Sequence, residues 1–202
     1  MTKMSLSTQT LLKTASGLAL AGMLACSGGG GSDSGTSGGT TNPNAATKLA
    51  YTDPTPSSGQ WALMKDPAST DTHLVLDLVP PADAVSGFGV GFTLTAGSGV
   101  KWSKVSGGDA QYVHNIAYTL GSGVQLIKGT VATSTLTAGV FQKGLATTPV
   151  AHGTGATVSV ALDLASGATK TASVTITPTV SKELQASGMQ PLTVAVGTLS
   201  LQ

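Results

Sequence analysis

The chain has 202 residues, enough for one domain of ordinary size. Charged residues make up 9% and aromatic residues 4%, while glycine fills 27 positions, a mixture that suits short strands and turns better than packed helices. The formal net charge is +1, and every basic residue is a lysine. With no basic stripe and no guanidinium fork for phosphate, nucleic acid is not expected as a partner.

Lys3 and Lys13 supply a positive start, and residues 14–25 read TASGLALAGMLA, an uncharged and mostly apolar run. That run is shorter than the roughly 20 residues a bilayer span needs, but it fits the apolar core of a secretory signal. It ends in Met23-Leu24-Ala25-Cys26. This resembles the lipobox of bacterial lipoproteins, with Met23 where leucine is usual. The resemblance implies a signal peptide over residues 1–25 and a Cys26 that is diacylated, becomes the first residue and is then N-acylated with a chain such as palmitate. Ser27, rather than aspartate, implies passage to the outer membrane. Each buried methylene contributes about 0.8 kcal/mol, and two or three chains together anchor for practical purposes permanently. Cys26 is the only cysteine, so the chain has no internal disulfide and no cysteine pair for zinc.

Residues 26–47 are expected to form a tether. Seven of the 21 residues after the cysteine are glycine and none is a large apolar residue, so the segment lacks the surface to order itself. As a coil it spans about 25 Å. Gly35-Thr36-Ser37-Gly38-Gly39 matches a nucleophile-elbow pattern only formally, because the strand and helix that give the pattern meaning do not flank it.

Residues 48–202 show alternation with a period of two, segment after segment. Leu74, Leu76 and Leu78 share one face of residues 72–79, and Phe88, Val90, Phe92 and Leu94 one face of residues 87–95. Further strands are expected at 100–105, 112–120, 124–132, 136–142, 156–165, 171–178 and 191–201, the last with a frame shift at Gly197 that suggests a β-bulge. About nine short strands separated by Gly, Ser, Pro or Asp predict an all-β domain, a single antiparallel β-sandwich or jelly roll.

The order of these segments resembles the cohesin-type sandwich and related carbohydrate-binding modules. The carrying residues are Leu74-Val75-Leu76-Asp77-Leu78, the strand from Gly87 to Leu94, Val100-Lys101-Trp102-Ser103-Lys104-Val105, Leu126-Ile127-Lys128-Gly129, the run from Gly153 to Leu162, and the closing Val196-Gly197-Thr198-Leu199-Ser200-Leu201. At Phe92-Thr93-Leu94-Thr95-Ala96 the Tyr-Asp pair usual in the family is missing. The resemblance implies a binding module.

The sequence points to no catalytic group. His73, His114 and His152 lie in separate segments, and Glu183 is the only glutamate. His73 and Asp77 on one strand would stand about 13 Å apart. No metal site and no cofactor is expected, although Asp66 and Asp71 frame a turn whose oxygens could meet calcium. Trp61, Trp102, Tyr112 and Tyr118 are the candidate ligand-binding aromatics, since exposed rings stack on sugar faces. From Cys26 onward eight lysines face nine acids, so no strong field selects a partner. The expectation is a non-enzymatic, membrane-anchored lipoprotein that works as a protein-binding or structural module; the alternative is a carbohydrate-binding lipoprotein.

Overall fold

The computed structural model describes residues 42–82, 85–105, 112–122, 126–143, 148–152 and 155–202. Cys26, the signal segment 1–25 and the glycine-rich part of the tether lie outside the described residues. Fourteen strands and no helix stand among the described residues. In chain order they are β1 (Leu49–Thr52), β2 (Trp61–Lys65), β3 (His73–Val79), β4 (Gly89–Ala96), β5 (Val100–Ser103), β6 (Val113–Asn115) and β7 (Ile127–Ala132). Then come β8 (Thr135–Phe141), β9 (Val158–Leu164), β10 (Thr171–Val174), β11 (Ile176–Gln185), β12 (Gly188–Pro191), β13 (Val194–Val196) and β14 (Thr198–Leu201).

They build two main layers and a small closing sheet. One layer runs β13-β2-β3-β9-β5, with β6 also paired to β9; the other runs β12-β11-β4-β8-β7; the closing sheet is β1-β14-β10. Pairing is antiparallel except between β13 and β2, which run parallel. The alternation seen in the sequence explains the layers. Leu74, Leu76 and Leu78 of β3 and Val158, Val160 and Leu162 of β9 meet Val90, Phe92 and Leu94 of β4 and Leu136, Ala138 and Val140 of β8 in one continuous core. Each fully buried aliphatic side chain there contributes about 1.5–3 kcal/mol.

Nine expected strands become fourteen because two expected runs each divide and because β1, β2 and β12 were not among those expected. Residues 171–178 divide between β10 and β11, which belong to different sheets. Residues 191–201 divide at Gly197, where the chain leaves β2 and joins β1. The expected bulge is therefore a change of sheet. A β-carbon on Gly197 would lie 1.9 Å from the Thr52 carbonyl oxygen, so only glycine fits. Tyr51 fixes the crossing: its hydroxyl accepts from the Gly197 amide at 2.7 Å and donates to the Leu63 carbonyl at 2.8 Å. Burial raises the Tyr51 hydroxyl to about 12, and the bond from Gly197 opposes that rise.

Paired structure begins before residue 48. Ala45 bridges Thr169, the Lys170 amide donates to the Asn44 carbonyl at 2.8 Å, and Lys48 exchanges both backbone bonds with Gln202. Entry and Gln202 thus share one end of the sandwich with the turns around Gly99 and Gly167. The opposite end carries the ends of β3, β8 and β11 and the starts of β4, β7, β9 and β12.

Candidate binding surface

Three of the four candidate aromatics are core residues. Trp61 is 3% exposed, Trp102 5% and Tyr118 2%. Trp102 donates its indole N–H to the Ser134 carbonyl at 2.7 Å. Tyr112 is half-buried, with its backbone lying against Gly129. A sugar-stacking platform built from these rings is therefore corrected: with few aromatics available, the core takes them, as large rings add most to burial.

The acids and histidines also have structural partners. Asp71 pairs with Lys48 at 3.2 Å, and an Asp66 carboxylate oxygen accepts from the Ala68 amide at 2.6 Å. Among the described residues, no three His, Cys, Asp or Glu side chains gather as metal ligands. His73 meets Asp163 across the β3–β9 pair at 2.6 Å, a partner distant in sequence and so hidden from spacing. Asp77 accepts from the Ser159 hydroxyl at 2.6 Å. Burial holds the Asp77 carboxyl above its ordinary value of 3.8; the Ser159 bond opposes this, the neighbouring Asp66 carboxylate adds to it, and His114 opposes it.

The surface suited to a partner is the outer face of the five-stranded layer. In β4 and β8 the residues between the core positions point outward: Gly89, Gly91, Thr93 and Thr95 on one, Thr135, Thr137, Gly139 and Phe141 on the other. Register places Lys182, Gly91, Gly139 and Lys128 in one row across β11, β4, β8 and β7. At a strand spacing of about 4.8 Å the two lysine positions stand roughly 14 Å apart, with two glycines between them.

Phe141 lies across this glycine floor. A β-carbon on Gly89 would come within 2.3 Å of the ring, one on Gly139 within 3.0 Å and one on Gly91 within 3.4 Å. Three small residues thus let one aromatic ring rest flat on the sheet while keeping partial exposure. Beside it, Leu126, Ile127, Lys128 and Thr130 border a groove of about 650 Å³. Leu126 is 38% exposed, and Val180 and Met189 on β11 and β12 are also exposed. The five strands carry a single acid, Glu183, which is buried at 2%, so the outward charges of this layer are lysines.

Sequence reasoning passed over Phe141, which sat unremarked at the end of an expected strand. The available signal was the spacing of Gly89 and Gly91, two outward glycines in one strand, which marks a place where something lies close to the backbone.

No protein-family model matches the chain, and no curated protein sequence matches it. Solved structures do. One is the sixth cohesin of scaffoldin B from Acetivibrio cellulolyticus, solved in complex with a Cel5 dockerin mutant, with a TM-score of 0.50 and 9% identity over 70% of this chain and 96% of that one. Another is the cohesin module of a family 33 glycoside hydrolase from Clostridium perfringens, with a TM-score of 0.42 and 9% identity over 78% and 94%. A third is the seventh ScaB type I cohesin from Pseudobacteroides cellulosolvens, with a TM-score of 0.44 and 9% identity over 69% and 87%. At this identity the likeness establishes the fold: the domain is a cohesin-like, all-β sandwich.

Proposed function

We propose that this protein is an exported lipoprotein, acylated at Cys26 and held at the outer membrane, whose sandwich is a non-catalytic module for binding another protein through the outer face of the five-stranded layer. The observation that carries the binding reading is the Phe141 ring laid flat over Gly89, Gly91 and Gly139 between Lys128 and Lys182. A partly buried aromatic on a weakly charged sheet face is the kind of anchor that dominates protein interfaces. The cohesin solved with a dockerin shows that this fold can carry protein recognition, and that supports the reading.

Affinity capture from envelope extracts tests it with the intact protein, wild type against Phe141→Asp. Proteins retained by the wild type should be lost from the variant by roughly tenfold or more, the effect of removing one hot-spot ring. Equal retention by both would defeat the assignment of this face. Anchoring is tested separately by labelled palmitate, which should enter the wild type and not Cys26→Ser; unchanged membrane fractionation of Cys26→Ser would defeat that part.

A further inference from the structure

Given the binding role proposed above, on which this rests, we infer that the partner of this face is an acidic protein surface. It lays apolar side chains along a row formed by Met189, Leu184, Phe141 and Leu126, and sets carboxylates against Lys128 and Lys182. Register builds the row. Met189 pairs with Leu184, Leu184 with Gly89 and Gly89 with Phe141, and the Phe141 amide donates to the Leu126 carbonyl at 3.1 Å. Five positions at about 4.8 Å make a strip roughly 19 Å across. Met189 is 48% exposed and Leu126 38%, while Leu184 and Phe141 are half-buried.

The next row, two residues along each strand and about 7 Å away, is Pro191, Lys182, Gly91, Gly139 and Lys128. Two cations thus flank a glycine floor that runs alongside the apolar row. The groove of about 650 Å³ bordered by Lys128 and Phe141 opens on this floor, where a partner's side chains can seat.

The near balance of charge along the chain hides a segregation in space. The described aspartates, Asp53, Asp66, Asp71, Asp77 and Asp163, lie on or beside β1, β2, β3 and β9, none of which belongs to this layer. An equal number of described lysines also lies outside this layer, so Lys128, Lys143 and Lys182 give this side its charge. Glu183, the acid of the layer, turns inward to a bond with His152. Lys143 reaches the Ser122 carbonyl. Lys128 and Lys182 are exposed, and neither has an ion-pair partner among the described residues.

A partner seated on Phe141 takes water from both ammonium groups at the border of the contact, and an ammonium left there without an acceptor weakens binding. Carboxylates at those two points replace the lost water, speed encounter and exclude basic competitors. An anionic lipid surface fits less well. It is held by clusters of roughly four to eight basic residues, and phosphate favours the guanidinium fork, which this chain lacks.

The test uses the full chain with the envelope proteins it retains. A carbodiimide joins an amine to a carboxylate with loss of one water and leaves no spacer, and mass spectrometry reads the joined peptides. Lys128 and Lys182 should be found joined to Asp or Glu side chains of the retained protein; joined peptides that omit both lysines overturn the inference. Wild-type retention should fall roughly fivefold between about 0.05 M and about 0.5 M salt. Lys128→Gln/Lys182→Gln should retain roughly fivefold less at the lower salt, with little further loss at the higher. Both side chains are exposed, so this variant keeps its core. Retention that needs Phe141 but is equal in the double variant and insensitive to salt leaves the face a binding surface and overturns the acidic partner. Retention that survives Phe141→Asp defeats the binding role itself. Lysine-dependent sedimentation of the Cys26→Ser chain with phosphatidylglycerol vesicles assigns the two cations to lipid and overturns the inference as well.

Discussion

At Asp77 a carboxylate sits where the sheet would accept a neutral group. Burial and Asp66 raise its folded value above the ordinary 3.8, so the folded state holds a proton more tightly than the unfolded chain does. The resulting penalty is missing below 3.8, grows as pH climbs from there to the raised value, and is complete above it. Asp77→Asn keeps an oxygen for Ser159 and presents an amide to Asp66. It should unfold at higher urea than wild type at pH 7 and lose that advantage near pH 3; a midpoint lowered at pH 7 would contradict this account. Thr133 offers a second residue-scale test. It is the one non-glycine among the described residues with a positive φ, 55°, in the turn joining β7 to β8. A β-branched residue there is strained by about 1–2 kcal/mol. Thr133→Gly should therefore raise the unfolding midpoint, partly offset by the added freedom of the unfolded chain.

At the scale of elements, the change of sheet at Gly197 does the most to close the fold. One continuous run of chain serves as the parallel edge beside β2 and then as the centre of the closing sheet between β1 and β10. Gly197→Ala forces its methyl into the Thr52 carbonyl and the Tyr51 ring, so the crossing must shift and the two bonds of the Tyr51 hydroxyl with it. The expected loss is about 2–4 kcal/mol in urea unfolding, from overpacking together with unsatisfied polar groups. Period-two alternation made β3, β4, β8 and β9 legible in the sequence, since large apolar residues alternate along each, although in β9 the smaller Ser159 and Ala161 between them are buried as well. It did not expose β2, whose Trp61-Ala62-Leu63 is apolar at every position and buried on both faces. Nor did it expose β12, where Gly188-Met189-Gln190-Pro191 holds to β11 by backbone pairing on a short hairpin. The site was harder still. Rings were sought as exposed by type, whereas their placement depends on which face of a strand the register turns outward, and that is settled between strands.

For the whole molecule, the sandwich reaches further toward the N-terminus than its alternating pattern. Residues 42–48 add an outer rim of backbone bonds to Thr169, Lys170 and Gln202. A chain starting at Leu49 should be less stable than one starting at Asn42 by about 2–4 kcal/mol, several net hydrogen bonds, as measured by denaturant midpoint. Equal midpoints would show that the rim is decorative. The same rim separates the two ends of the molecule in kind. Entry and exit crowd one pole, among small polar turns, while Leu126, the His152–Glu183 pair and the Gln185–Gly188 hairpin occupy the other.

Lys48 and Gln202 are bonded neighbours in space, so the stretch of chain that forms the sandwich nearly closes into a ring. A genetic splice joining the last residue to Asn42 through a few glycines, with new ends cut between Ala186 and Ser187, would present the same strands in a rotated order. Such a permutant should still assemble, and its new termini would emerge beside β11, making a fluorescent label there a local reporter of whatever docks on that side.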